Sequence, residues 1–225
     1  MKLLGLDTSG EACSAALLAD NVISQRLERA PRRHGELILP MAESLLAERG
    51  LRLSDLDAIA FSRGPGSFTG VRIAVAVAQG IAFGAGLDTV PVSTLAALAQ
   101  GEHRRSGRRR ILAALDARMG EVYWGCFELG PDGVMVPLGQ ELVCPPDRVP
   151  TPLGPGWWGV GPGWAVYTQV LRDRVGPGLD GSSGDAICEA QDLVRIAGTA
   201  LLAGDRVSPE LARPVYLRDQ VTDRG

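Results

Sequence analysis

Short apolar runs alternate with longer helical patterns along this chain, and the period of each run indicates its element. Residues 3–6 are apolar, end on Asp7 and lead into Thr8-Ser9-Gly10, which predicts a strand and a polar turn. Residues 12–19 form a second apolar run, and residues 22–27 alternate apolar with polar, as a half-buried strand does. Together they predict a three-stranded meander. Residues 36–49 carry Leu37, Met41, Leu45 and Leu46 at helical spacing. Pro40 sits early in that pattern, where proline is tolerated, and Gly50 follows as a C-cap. Residues 56–61 predict a short strand, 71–83 a helix, 89–92 a strand and 94–99 a short helix. The order β-β-β-α-β-α-β-α is a mixed α/β pattern.

Residues 101–110, GEHRRSGRRR, lack apolar side chains and mark a boundary between halves. The expected division is an N-terminal lobe over 1–103 and a C-terminal lobe over 104–225, whose last segment is able to pack back on the first lobe. The second half opens with a strand at 111–115, the polar turn DARMGE and a strand at 122–127. Residues 130–163 are rich in Gly and Pro and read as loops, with one further strand at 134–136. Residues 188–203 predict a helix, and the tail LARPVYLRD an extended arm or strand. No repeat is visible in the sequence, although both halves open with strands and an Asp-containing turn.

Composition narrows the function. With 45% hydrophobic residues among 225, the chain is large enough for one sizeable core or two smaller ones. A net charge of −3 and a pI near 5.5 argue against independent nucleic-acid binding. Lys2 is the one lysine among 23 basic residues, so a P-loop or a Schiff-base lysine is not expected. Cys13, Cys126, Cys144 and Cys188 form no C-x-x-C pair, and His34 and His103 are too few for a His-rich metal site. Scattered free thiols fit a reducing cytoplasm. Asp7 and Glu11 break the N-terminal apolar run, so an export signal is not expected. The most apolar stretch, 71–87, contains Arg72 and Gln79 and falls short of a membrane span, which leaves a buried or partner-facing helix.

The chemical candidates are few. Asp7-Thr8-Ser9 at a strand end reads either as a holder of a magnesium-bound phosphate or as a turn capped by its own side chains. Asp116 opens a second such turn, so Asp7, Thr8, Ser9 and Asp116 are the candidate nucleotide-binding residues. The loop Gly64-Pro65-Gly66-Ser67-Phe68-Thr69-Gly70 runs into a helix start. It either cradles a phosphate on backbone N–H groups or permits a tight strand-to-helix crossing. GPGWWG at 154–159 is a literal G-x-G-x-x-G, but it follows a proline-rich stretch and bears two bulky Trp, so a dinucleotide site is rejected. There is no G-x-S-x-G, and neither histidine has an evident hydroxyl or thiol partner. In the helix after the glycine loop, Ala76, Gly80 and Gly84 recur every fourth residue, as do Ala74, Ala78 and Ala82. Such rows allow close approach of another helix, from the same domain or from another chain.

Taken together, LGLDTSGEACSAALL, HGELILPMAESLL, SRGPGSFTGVRIAVAVAQGIAFG, VPVSTLAALA, DARMGEVYWG and RPVYLRD, in this order, resemble the TsaB (YeaZ-like) family of tRNA threonylcarbamoyladenosine biosynthesis subunits. The resemblance is densest over residues 1–100 and thin over 130–185. It implies an actin/Hsp70/sugar-kinase-like α/β fold of two lobes with mixed sheets and flanking helices. It also implies kinship with a catalytic paralogue, TsaD, that holds a metal on two histidines. At those positions this chain has Thr94 and Leu98, so the resemblance implies a kept fold and lost metal chemistry. No catalytic residue and no metal ligand are expected, no cofactor is expected on this chain, and ATP/ADP and metal are assigned to partner subunits.

The implied role is a cytoplasmic scaffold that pairs with TsaD, receives the ATPase subunit TsaE, forms a homodimer when alone, meets tRNA mainly through the complex and touches no membrane. Leu37, Met41, Leu45, Ile73, Ala76, Val77, Gly80 and Gly84 form the expected partner interface. Arg104, Arg105, Arg108, Arg109 and Arg110 form either a solvated linker or part of a tRNA path. The rival reading is an enzyme of the same fold, an ATP-dependent kinase or a metallopeptidase.

Overall fold

The computed structural model describes residues 1–218, which fold as two compact units. The first comprises Met1–Ala97 with Cys188–Val215, and the second starts at Leu98, runs to Ile187 and takes up the chain again at Tyr216.

The first unit is built on β1 (Lys2–Asp7), β2 (Ala12–Ala19), β3 (Val22–Arg29), β4 (Ala58–Gly64) and β5 (Asp88–Ser93), in the sheet order β3-β2-β1-β4-β5. The first three pair antiparallel, with Leu4 opposite Leu17, and β4 and β5 add in parallel beside β1. Helices cover both faces, which explains why β2 is buried at every position and reads as a continuous apolar run. On one face Leu4, Leu6, Leu17, Ile59 and Phe61 meet α1 (His34–Glu48) and α2 (Phe68–Ala85). On the other, Leu3, Ala16, Leu18, Val90 and Val92 meet Leu193, Val194 and Ala197 of α6 (Ala190–Leu202). The division follows the strand period of two.

In the second unit β6 (Arg110–Arg118) pairs antiparallel with β7 (Glu121–Leu129), which carries β8 (Met135–Pro137) and β9 (Leu142–Cys144) on its far side. β10 (Trp157–Val160) joins β6 in parallel, followed by β11 (Leu179–Ser183). Between β10 and β11 lie α4 (Pro162–Val166) and α5 (Thr168–Val175). The core holds Trp124 and Trp164 with ring centroids 5.7 Å apart, and Trp164 Nε1 donates to the Leu112 carbonyl at 2.8 Å. The sheet order β11-β10-β6-β7-β8 repeats that of the first unit strand for strand. A meander of three with two parallel strands added to its first member occurs twice, which is the duplicated sheet of actin/Hsp70/sugar-kinase-like proteins.

Several expectations change. α3 runs over Thr94–Ser106, well past residue 99, and β6 begins at Arg110. The polar run 101–110 is therefore helix end, turn and strand start, and the boundary expected at 103/104 falls inside α3. Polarity misled because Gln100 and Glu102 are buried there, 1% and 7% exposed, with Gln100 Oε1 accepting from the Met135 N–H. β9, β10, α5 and β11 were not anticipated. The tail has no helix or strand from Ala212 to Tyr216, and its Asp219 lies outside the described residues. α2 begins at Phe68, three residues before the apolar run, which makes it long and apolar enough to cross a membrane by length and composition. In this unit it packs on the sheet through Val71, Ala74, Val75, Ala78 and Ala82, and Gln79 Nε2 donates to the Pro209 and Ala212 carbonyls.

Leu45 is fully buried beneath α1 together with Ile38 and Ala42, and is thereby removed from the expected partner interface. Its truncation leaves a cavity, so Leu45→Ala should lower stability by about 2–5 kcal/mol in denaturant unfolding. A loss below about 1 kcal/mol would place Leu45 outside the core.

Candidate functional site

β1 ends at Asp7, and the glycine loop settles directly onto the turn that follows. Ser67 N–H donates to the Ser9 carbonyl at 2.8 Å, and Thr8 Oγ1 donates to the Gly70 carbonyl at 2.6 Å. A Cβ at Gly70 would stand 1.9 Å from the Thr8 carbonyl oxygen, and one at Gly66 2.5 Å from that of Ser9. No side chain fits either gap. Ser67 then caps α2, its Oγ accepting from the Gly70 N–H. The loop Gly64–Gly70 therefore serves a tight strand-to-helix crossing, with backbone groups engaged by the turn.

The same packing closes the first turn. Asp7, Thr8 and Ser9 are at most 1% exposed. Asp7 Oδ1 accepts from Ser9 N–H and from Ser9 Oγ at 3.1 and 2.6 Å, while Asp7 Oδ2 and Ser62 Oγ lack a well-formed hydrogen bond. Burial pushes the Asp7 carboxyl above its usual value, against the opposing pull of Ser62, Ser9 and the Cys188 thiol. Cys188, just before α6, is likewise pushed well up by burial and by the negative charge of Asp7. These side chains, with the candidate nucleotide-binding residues Asp7, Thr8 and Ser9 among them, form a buried polar knot in the first unit. Nothing in sequence spacing pointed to Ser62 or Cys188 as their neighbours.

In the second unit Asp116 is committed to its own hairpin. Its carboxylate accepts from the Arg118 N–H at 2.9 Å and the Tyr167 hydroxyl at 3.3 Å, and pairs with the Arg118 guanidinium at 3.1 Å. Arg118 and Met119 both have positive φ, 64° and 54°, at the hairpin tip. Arg218 donates to the Ala117 carbonyl and to Glu121, both at 2.8 Å, and holds the hairpin from the tail side.

The thiols of Cys13 and Cys126 are held protonated. Cys13 Sγ contacts the His34 carbonyl at 3.8 Å, so the two residues are neighbours, but the contact is to His34 backbone. Burial and the charges of Asp7 and Glu28 push the Cys13 thiol to about 12, far from a reactive thiolate. Cys126 is pushed to about 11 by burial. Thr94 and Leu98 are buried on α3, 2% and 1% exposed, and Ser93 caps that helix by accepting from Leu95 N–H and Ala96 N–H. Among the described residues no three His, Cys, Asp or Glu side chains converge.

The open surface of the first unit lies on the paired helices. Ala76, Gly80 and Gly84 are exposed, and an added Cβ at Gly80 or Gly84 would meet nothing within 4 Å. The parallel row Ala74, Ala78, Ala82 is buried. Leu37, Met41, Ile73 and Val77 are half-buried at the margin between the two. Phe68 and Phe83, at opposite ends of the outer face, are 59% and 72% exposed, with the Arg72 guanidinium over the Phe68 ring. Both phenylalanines were absent from the expected interface; their positions four residues before Arg72 and one before Gly84 were the available signal.

A duplicated α/β sheet, a buried polar turn at Asp7 and an open apolar helix face define a two-unit actin-like α/β protein. A family model for TsaD, described as tRNA N6-adenosine threonylcarbamoyltransferase, matches residues 16–152. The chain is 41% identical to the tRNA threonylcarbamoyladenosine biosynthesis protein TsaB of Escherichia coli K12, with 98% of this chain and 96% of the relative covered. It is 39% identical to the TsaB of Haemophilus influenzae, over 99% and 95% of the two chains. The solved structure of YeaZ from Pseudomonas aeruginosa superposes with a TM-score of 0.89 at 46% identity, over 96% of this chain and 99% of that one. The chain belongs to the TsaB family.

Two tests probe the buried knot. A folded-state carboxyl pKa above its unfolded value means that the native state holds the proton more tightly, so stability falls as pH rises from about 3.8 to the raised value. Asp7→Asn should remove that decline and leave stability at neutral pH equal or higher; an unchanged pH profile would contradict the assignment. Gly70→Ala should cost several kcal/mol, beyond the roughly 1–3 kcal/mol of ordinary overpacking, because the obstructing atom is backbone. Thermal unfolding reads that cost, and a wild-type melting temperature would disprove the close approach.

Proposed function

We propose that this chain is a non-catalytic scaffold subunit of the complex that transfers threonylcarbamoyl to N6 of adenosine 37 in tRNAs reading codons that begin with A. The observation that carries the reading is the outer face of α1 and α2, with Ala76, Gly80 and Gly84 exposed alongside Phe68 and Phe83. Small residues let a second helix approach closely, and exposed aromatics supply anchors. The partner is the catalytic paralogue TsaD. The match of the TsaD model to residues 16–152 makes the two families relatives, which supports a bundle of kindred helices. A second copy of this chain takes the same face when the paralogue is absent, and TsaE docks on the heterodimer.

Catalysis, metal and ATP/ADP belong to the partner subunits. The closed Asp7 turn and the buried Thr94 and Leu98 support that division. tRNA is met mainly through the complex. The net charge of −3 favours this, and the expected arginine cluster is largely compensated: Arg105 pairs with Glu102, Arg108 with Asp180 and Arg110 with Glu128. Four free cysteines fit a cytoplasmic location without membrane contact.

Gly80→Leu tests the face. A Cβ at this position meets nothing within 4 Å in the chain, and replacing an exposed helical Gly should stabilise the lone chain by about 0.5–1 kcal/mol. Co-elution with TsaD should be lost while the melting temperature at low protein concentration is equal or higher. Intact co-elution would remove Gly80 from the interface. The purified chain alone should leave tRNA unmodified; modification by this chain alone would overturn the scaffold role.

A further inference from the structure

After α6 the chain stays on the first unit as far as Val215, and residues 205–215 lie along it as an arm. The arm is tied down along its length. Val207 bridges to Thr89 of β5, with N–H donating to carbonyl in both directions at 2.8 and 2.9 Å. Gln79 Nε2 of α2 donates to the Pro209 and Ala212 carbonyls at 3.0 and 2.9 Å. Val215 N–H donates to the Arg63 carbonyl at 2.8 Å.

The Gln79 tie has a specific consequence. One side-chain amide engages both of its N–H donors on the two ends of a single 3₁₀ turn, Pro209–Leu211. Ala212, just after the turn, is 2% exposed and belongs to the same buried cluster as Val75, Ala78 and Ala82 of α2. A turn fixed this firmly still leaves Leu211 59% exposed. A leucine held rigid in solvent offers apolar area whose backbone freedom is already lost before any partner binds.

Helix geometry places this turn beside the exposed row of α2. Positions three and four apart on a helix are neighbours, so Gln79 borders Ala76 and Phe83. On the opposite side of the row follow Ile73, Val77 and Ile81, half-buried with Leu37 and Met41 of α1. The outer face of α2 is therefore a shallow groove. Ala76, Gly80 and Gly84 form its floor, α1 one border, and Phe83 with the Leu211 turn the other. A floor of small residues between two apolar borders fits one helix at close approach.

We propose that the Pro209–Leu211 turn is part of the partner face, with Leu211 an anchor for a helix of the TsaD paralogue and Gln79 the positioning residue that holds the turn against α2. The inference rests on the docking role proposed above for the outer face of α2, whose helices lie within the residues 16–152 that the TsaD model matches.

Calorimetric titration of the full chain with TsaD, run as a double-mutant cycle, tests it. Leu211→Ser, at an exposed position, should keep the melting temperature of the lone chain and weaken TsaD binding at least about fivefold, as loss of an interface anchor does. Gln79→Ala should weaken binding as well. In that background Leu211→Ser should retain less than about half of its effect on log Kd, because an unclamped turn no longer presents the leucine. Gly80→Leu separates this inference from the reading beneath it. Binding lost with Gly80→Leu but native with Leu211→Ser would overturn the arm's part and leave the α2 face in place. Native affinity in all three variants would overturn both. Fully additive effects of Leu211→Ser and Gln79→Ala would overturn the positioning role of Gln79.

Discussion

One backbone contact governs the first unit: the Gly70 Cα lies against the Thr8 carbonyl, closer than any side chain permits. It locks the start of α2 to the end of β1, with Ser67 N–H on the Ser9 carbonyl and Thr8 Oγ1 on that of Gly70. With its N-terminus fixed there, α2 lies with Ala74, Ala78 and Ala82 on the sheet and Ala76, Gly80 and Gly84 turned away. The contact that buries the Asp7 turn thus also determines which face of α2 remains open. A motif with the look of a phosphate loop serves here to aim a helix.

The duplicated sheet gives the two units the same strand order and different fillings. The first covers both faces with long helices and packs aliphatic side chains, Leu against Ile, Val and Ala. The second places short helices α4 and α5 after β10 and fills its core with Trp124, Trp157 and Trp164. Three indoles supply much apolar area from few residues, which suits strands as short as β10. Their N–H groups find backbone carbonyls at Pro150, Leu153 and Leu112.

How much of this was legible depended on whether burial and periodicity agreed. β1 to β5 and the helices between them were readable because each carries an apolar run or a clear period and is bounded by turn residues. In the second unit, β10 is four residues between Gly-Pro turns, and α5 buries only Leu171, so neither carries a period to detect. α3 outran its apolar signal because Gln100 and Glu102 are buried polar residues with internal partners. Leu37, Met41 and Leu45 looked like one stripe, yet Leu45 belongs with Ile38 and Ala42 on the core side while Leu37 and Met41 sit at its edge. The repeat of sheet order left no trace in the residues, because a shared strand order constrains pairing and not side-chain identity. The glycine spacing in α2 was visible, but two small-residue rows stood side by side, and only packing tells which faces out.

The account rests most heavily on that outward face being the one a partner covers. The rate at which a soluble maleimide labels a Gly84→Cys variant, with the native chain as blank, reads this directly. At low protein concentration the new thiol should react at the rate of an exposed cysteine, and addition of TsaD should slow it in proportion to the fraction of chain in complex. An equal rate with and without the paralogue, under conditions where the two co-elute, would contradict the account and place the interface elsewhere.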